Sequence, residues 1–142
     1  MGLDTSHGCW HGAYSAFTRW RNTLAEVAGY ALWRVEYDDR VVRDTIMIDW
    51  GRLSRDNPDH LLGEWKTTPD DPLIYLFMHQ DCEGVIHPAQ AAPLADRLEE
   101  LLPLIEAEGD GGGHIGNYRE KTQLFIDGLR KAVALGEDVD FH

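Results

Sequence analysis

Residues 73–84, with the sequence LIYLFMHQDCEG, are the segment on which the prediction of the fold most depends. The apolar run Leu73–Met78 has no polar position, so it predicts a buried central strand rather than an edge strand. Polar side chains that can bind ligands follow directly, namely His79, Asp81, Cys82 and Glu83. Side chains at the end of a rigid core element are held in place by that element. This segment is therefore the first candidate functional region.

Apolar residues at helical spacing predict a helix on each side of this segment. The first helix is expected over residues 13–28, with Gly29 as its stop. The second is expected from Pro88 to about Glu108, because proline is favoured in a first turn. Pro103 should bend that helix or break it near residues 99–102.

A third helix is expected to begin at Asn117 as its cap and to end at Gly136. Residues 32–44 are open between helix and irregular structure, whereas alternation over residues 46–50 favours a strand. Glycines and prolines in residues 51–72 predict a long loop with short helical turns, and such loops are often functional.

The tail through Val139 and Phe141 is expected to add a short edge strand. The predicted fold class is α+β, with three main helices packed on a small β-sheet. The length of 142 residues predicts one domain over residues 1–142. A hydrophobic fraction of 43% with five Trp supports a true core.

The net charge of −12 is uneven along the chain. Residues 1–35 hold three Arg against Asp4 and Glu26, so the negative charge lies in residues 36–142. Such a surface disfavours nucleic acid as a partner, although it could imitate one. No apolar run approaches the ~20 residues that span a membrane. The first residues have neither a basic start nor an apolar stretch, so no secretory signal is expected. A cytoplasmic protein without a membrane partner is expected.

Two groups of His, Cys and Asp could bind a metal if the fold brought them together. The candidate ligands are His7, Cys9, His11, His79 and Asp81. Their spacing matches no standard zinc pattern, so no cofactor is expected and zinc is kept as an alternative. The alternative structural interpretation has Asp81 capping a turn and Cys82 packed inside. Cys9 and Cys82 are expected to be reduced thiols.

A glycine-rich stretch, residues 109–117, precedes the third helix. Glycines and a helix start can present backbone N–H groups to phosphate, and Arg119 lies close by.

Near the N-terminus, Trp10, His11 and Tyr14 mix aromatic and polar groups that could stack on a base. Arg19 and Arg21 follow in the same region, and an arginine can stack on a ring or bind phosphate.

Several segments resemble a family of small bacteriophage and bacterial proteins that has no established activity. The segments are Met1–Thr5, Cys9–Phe17, Trp20-Arg21, His79 with Asp81-Cys82 and Gly84, Ala95–Pro103, Gly113–Asn117, Lys121-Thr122, Phe125–Arg130 and Val139–His142. Members more often carry Ser where Gln80 stands and Asp where Glu83 stands. The resemblance implies a phage setting, in which small proteins often act against host defence.

The leading hypothesis is a binding protein, rather than an enzyme, that sequesters a phosphate-bearing nucleotide-derived defence signal. An oligomer is one way to form the closed pocket that this needs, and that pocket must be locally positive. The expected ligand-binding residues are His7, Trp10, His11, Tyr14, His79, Asp81, His114, Asn117 and Arg119. The alternatives are a metal-dependent hydrolase of a similar ligand and an acidic protein that inhibits a host enzyme.

Overall fold

The computed structural model describes residues 2–105 and 118–142. Within these ranges the protein is a mixture of α and β structure, as the sequence predicts, with five α-helices rather than three main ones. The helices are α1 (Tyr14–Val27), α2 (Trp50–Asp56), α3 (Leu73–Phe77), α4 (Pro88–Leu101) and α5 (Tyr118–Leu135). Short 3₁₀ turns cover Ser6–Gly8, His60–Leu62 and Leu102–Leu104.

In the part of the chain that the structure describes, the strands form three separate antiparallel pairs instead of the one small sheet that was expected. They are β1 (Gly2–Asp4) with β2 (His11–Ala13), β3 (Leu32–Tyr37) with β4 (Arg40–Ile46), and β5 (Val85–Ile86) with β6 (Val139–Asp140). The predicted tail strand is confirmed as β6. An isolated bridge between Thr5 and Phe141 joins the tail to the N-terminal region.

The prediction that Leu73–Met78 is a strand is wrong, because Leu73–Phe77 forms the short helix α3. Every residue of the run is buried, and a short apolar run that is buried all round has no periodicity that separates strand from helix. The local signal lies just before the run. The Asp71 carboxylate accepts a hydrogen bond from the Leu73 N–H at 3.0 Å, and Pro72 has a helical φ of −57°.

Residues 32–46 form a β-hairpin, which the sequence left open between helix and irregular structure. Its turn has positive φ at both Asp38 (55°) and Asp39 (58°), positions where Asn and Gly are the usual signal. The strand expected over residues 46–50 is wrong beyond Ile46. Trp50 begins α2, where the Asp49 carboxylate accepts from the Arg52 N–H at 3.3 Å.

The long helices match their sequence predictions and enclose the core. Helix α1 buries Phe17, Trp20 and Leu24, and α4 ends at Leu101, where Pro103 was expected to break it. Helix α5 ends at Leu135, directly before Gly136, as predicted. Its expected cap, Asn117, lies outside the described residues. No helix in the described ranges is long and apolar enough to cross a membrane.

Candidate functional site

His79 lies in the core rather than at an open site. It is 2% exposed, and its ring lies 4.1 Å from the Phe141 ring, centroid to centroid. Nδ1 faces the Gln80 carbonyl at 2.7 Å and Nε2 faces the Val85 carbonyl at 2.9 Å. Burial lowers the pKa of His79. Both ring nitrogens therefore face backbone carbonyl oxygens, so neither is directed at a metal or a ligand in this arrangement.

The two groups beyond His79 are more accessible. Asp81 is half-buried, and its charge acts on Arg21. Cys82 is exposed, which corrects the interpretation that it packs inside, and its Sγ lies 3.8 Å from Gln80 Oε1. Cys9 is the buried thiol, and burial raises its pKa to about 12. Both cysteines are free thiols, as expected.

The N-terminal candidates split between surface and core. His7 Nε2 lies 2.9 Å from Glu137 Oε1, and the exposed His11 ring lies 3.6 Å from Asp4. Trp10 is 3% exposed and packs against Phe17 and Trp20, so it presents no open ring face to a ligand. Tyr14, the other aromatic candidate of this region, packs partly buried against the same core.

The candidates around the glycine-rich stretch are only partly visible. His114 and Asn117 lie outside the described residues. Arg119 donates to the Ile105 carbonyl from both Nε and Nη2, at 2.9 and 2.5 Å. Lys121 Nζ lies 5.0 Å from the centroid of the Trp10 ring. The predicted ligand residues within the described ranges are therefore spread between core and surface, and none of them lines the three cavities that residues between Thr18 and Pro93 form.

The candidate metal ligands are not gathered either. Across residues 2–105 and 118–142, no group of three or more His, Cys, Asp or Glu side chains is placed to hold a metal ion. Since Zn²⁺ sites use three or four protein ligands, the described part of the chain offers no support for the hydrolase hypothesis.

A cavity of about 360 Å³, here called the aromatic cavity, lies beside the loop that the sequence marked as long. Its lining consists of Trp65, Lys66, Thr67, Thr68, Pro69, Pro72, Tyr75, His87, Ala89, Gln90 and Pro93. The Trp65 and Tyr75 rings meet edge to face with centroids 5.3 Å apart. In a chain of net charge −12, this lining holds Lys66 and His87 and neither Asp nor Glu.

His87 connects the aromatic cavity to two other segments. Its Nε2 lies 2.8 Å from Glu64 and its Nδ1 lies 2.9 Å from Asp138 in the C-terminal tail. Partial burial opposes protonation, but the hydrogen bonds to Asp138 and Glu64 outweigh it and raise the pKa of His87. Its backbone N–H is held by Gln90 Oε1 at 3.1 Å. The imidazole is thus a fixed group that carries positive charge more readily than a free histidine.

Asn57 holds the loop that forms one wall of the aromatic cavity. It is 0% exposed, and its Oδ1 accepts from the backbone N–H groups of Lys66 (2.7 Å) and Thr67 (2.9 Å). Its Nδ2 donates to the Leu53 carbonyl at 3.0 Å and to Thr67 Oγ1 at 2.9 Å. A single buried amide therefore fixes the loop against the end of α2.

Gly63 fixes the other end of this loop. Its φ is +89°, and a Cβ there would lie 1.7 Å from the Val85 carbonyl oxygen. Gln90 Nε2 donates to the Gly63 carbonyl at 2.8 Å. The Gln90 side chain thus fastens the loop to α4, and the close approach to β5 leaves room only for glycine at this position.

A second cavity of about 340 Å³, the acidic cavity, lies across residues 67–69, which line both hollows. Its lining includes Asp49, Asp56, Asp70 and Asp71 with Arg52. Tyr30 donates to Asp71 at 2.7 Å, and Arg97 pairs with the same carboxylate at 3.2 Å. Like charges repel, so the two cavities differ sharply in the ligands that they can accept.

The sequence indicated the loop at residues 51–72 as a candidate region, but it did not indicate which residues of the loop line a cavity. Trp65 and Lys66 form no motif, and they meet Tyr75 and His87 only because the loop folds back on Asn57. Comparison of the chain with models of protein families, with curated proteins and with solved structures finds no match. Function must therefore be argued from the geometry.

Proposed function

We propose that the protein binds, without catalysis, a small planar ligand that carries a phosphate group, and that it does so in the aromatic cavity. The observation that carries the proposal is the lining of that cavity, which combines aromatic rings with Lys66 and the imidazole of His87 and holds no carboxylate. Lys66 supplies the positive charge that a phosphate pocket in so acidic a chain needs, whereas the charge of His87 is shared with Glu64 and Asp138.

The aromatic groups account for the planar part of the ligand. Base–aromatic stacking contributes about 1–3 kcal/mol per base, and the partly buried Trp65 lines the cavity. Tyr75 is buried and supports the Trp65 ring edge to face. The cavity volume of about 360 Å³ lies at the lower end of the range for ligand pockets, which favours a single nucleotide unit over a dinucleotide.

The polar groups of the lining are the ones that would bind the phosphate group of the ligand. Lys66 is exposed and lies within 4 Å of no carboxylate among the described residues, so its charge is available to a ligand. Thr68 lies beside it in the lining, whereas the Thr67 hydroxyl is held by Asn57. The Trp65 Nε1–H is buried and has no acceptor within the described ranges. A buried donor without an acceptor costs about 1–3 kcal/mol, which an acceptor on a ligand would offset.

Binding without turnover fits the same geometry. A general base needs a free lone pair, and both nitrogens of His87 face carboxylates. The resemblance to phage proteins extends the proposal to its biological form, in which the ligand is a nucleotide-derived signal of host defence that the protein sequesters.

The first test is calorimetric titration with 5′-AMP, adenosine and inorganic phosphate. We expect 5′-AMP to bind more tightly than either of the other two, because each supplies only half of the contacts. Lys66→Glu should weaken 5′-AMP binding at least tenfold, since a charge-assisted hydrogen bond contributes about 1.5–3 kcal/mol. Lys131→Glu is the matched control, because Lys131 is exposed on α5 and lines none of these cavities. Equal losses in both variants would contradict the proposal.

A second test separates binding from catalysis. The protein is incubated with a nucleotide extract of bacterial cells, washed and denatured, and the released molecules are identified by mass spectrometry. An intact nucleotide that Lys66→Glu fails to retain supports the proposal. A chemically altered nucleotide would show turnover and would overturn the non-catalytic part.

A further inference from the structure

A third cavity, about 200 Å³ in volume, lies between α1, β4, α2 and α3. It is called here the Arg21 cavity, and its lining includes Thr18, Arg21, Asp44, Thr45 and Trp50. It shares no lining residue with the aromatic cavity. One cationic and one anionic side chain line it, Arg21 and Asp44, and each is incompletely paired among residues 2–105 and 118–142.

Arg21 is a largely buried cation. Its Nη1 donates to the carbonyls of His79 (2.6 Å) and Leu76 (3.4 Å), and its guanidinium lies 4.5 Å from the centroid of the Phe17 ring. No carboxylate of the described residues lies within 4.0 Å of it, and Nε and Nη2 make no hydrogen bond to a described residue. Burial lowers the pKa of Arg21 to about 10, so the group stays charged at neutral pH.

Asp44 supplies the opposite charge. Its side chain is 22% exposed, and its Oδ1 lies 3.4 Å from Arg34 Nε without accepting a hydrogen bond. Arg34 is shared, because its Nη2 also pairs with Glu26. The buried Oδ1 atom accepts no hydrogen bond from the described residues, and a donor on a ligand would lower the cost of leaving it unsatisfied.

We propose that the Arg21 cavity binds a small zwitterion, namely a free α-amino acid with a small side chain. Its carboxylate would pair with the guanidinium of Arg21, and its ammonium group would donate to Asp44. Thr18 and Thr45 offer hydroxyl groups near these charges, while Trp50 and Phe77 provide apolar walls. A volume of about 200 Å³ leaves room for a small amino acid and excludes a nucleotide.

The test is titration of the isotope-labelled protein with L-alanine, followed by two-dimensional NMR, with acetate and methylammonium as ligands that carry one charge each. We expect L-alanine to shift the amide signals of Thr18 and Thr45 at concentrations about tenfold lower than either half ligand, because the two ion pairs act together. Asp44→Asn should weaken L-alanine binding about tenfold. Asp38→Asn, in the exposed turn of the same hairpin, should leave it unchanged.

Arg21→Lys keeps the charge and removes the forked geometry, so it should also weaken binding. If this variant does not fold, Asp44→Asn alone decides. The proposal is overturned if L-alanine causes no shift up to 20 mM (a concentration on the order of the weakest useful affinities), or if acetate binds as tightly. Lys66→Glu should retain L-alanine binding, so failure of the nucleotide proposal would not affect this one.

Discussion

Replacing Asn57 tests how the aromatic cavity is built. Asn57→Ala removes the acceptor of two backbone N–H groups and the donor to Leu53, all made by a side chain that is 0% exposed. Each buried group left without a partner costs about 1–3 kcal/mol, but the exposed Lys66 backbone can regain water. We therefore expect a loss of about 3 kcal/mol in the free energy of unfolding.

The assay is urea unfolding followed by circular dichroism. With a slope of about 2 kcal/mol per M, this loss lowers the midpoint by about 1.5 M. Gln123→Ala is the control, because it removes an exposed amide on α5, and it should change stability by less than about 0.5 kcal/mol. A loss below about 1 kcal/mol in Asn57→Ala would refute the claim that this amide holds the loop.

Asn57→Asp refines the same test. The carboxylate keeps an acceptor for the N–H groups of Lys66 and Thr67 but brings a negative charge next to the Leu53 carbonyl. Burial should raise the pKa of this new carboxyl above its unfolded value near 4. The penalty is then present at pH 7 and relieved as pH falls through the raised value, so Asn57→Asp should recover stability at pH 5 relative to Asn57→Ala.

Three further changes follow from the described contacts. Gly63→Ala should destabilise by about 3 kcal/mol or more, or prevent folding, because its Cβ would lie 1.7 Å from a carbonyl oxygen at positive φ; urea unfolding measures this. Thr122→Val should cost about 1–3 kcal/mol in the same assay, since it removes the acceptor, 2.9 Å away, of the buried Trp20 indole. The pKa of His87 is raised, so the protein should exceed His87→Gln in free energy of unfolding by its full margin below pH 6.5. That margin should disappear as pH rises through the pKa of His87 in the folded state.

The sequence predicts the long amphipathic helices because the signals for a helix, apolar spacing and a terminal glycine, lie within each helix or directly after it. In α1 and α5, apolar residues recur at helical spacing, and Gly29 and Gly136 follow their ends. The break before Pro103 is equally local, because proline lacks an N–H and fixes φ. These features depend on neighbours within one or two turns, and a single sequence contains them.

The features that sequence reasoning missed depend on distant contacts. Residues 73–77 are apolar on all sides because α3 is surrounded by protein, and burial all round removes the periodicity that distinguishes helix from strand. The hairpin turn at Asp38-Asp39 uses positive φ without the expected glycine. The aromatic cavity combines residues from a loop, α3 and the start of α4, and their spacing in the sequence does not predict that they lie together.

The net charge of −12 does not describe the charge around each cavity, because many charged side chains pair with neighbours of opposite sign. Arg130 pairs with Asp96 and Glu99, and Arg97 pairs with Asp71, so several of the chain's cations are neutralised by neighbouring carboxylates. Lys66 has no such partner among the described residues, and the cavity beside it contains no acid. Four Asp lie instead across the wall that Asn57 holds. Like charges repel, so the acidic cavity disfavours an anionic ligand, whereas the lining of the aromatic cavity contains no carboxylate.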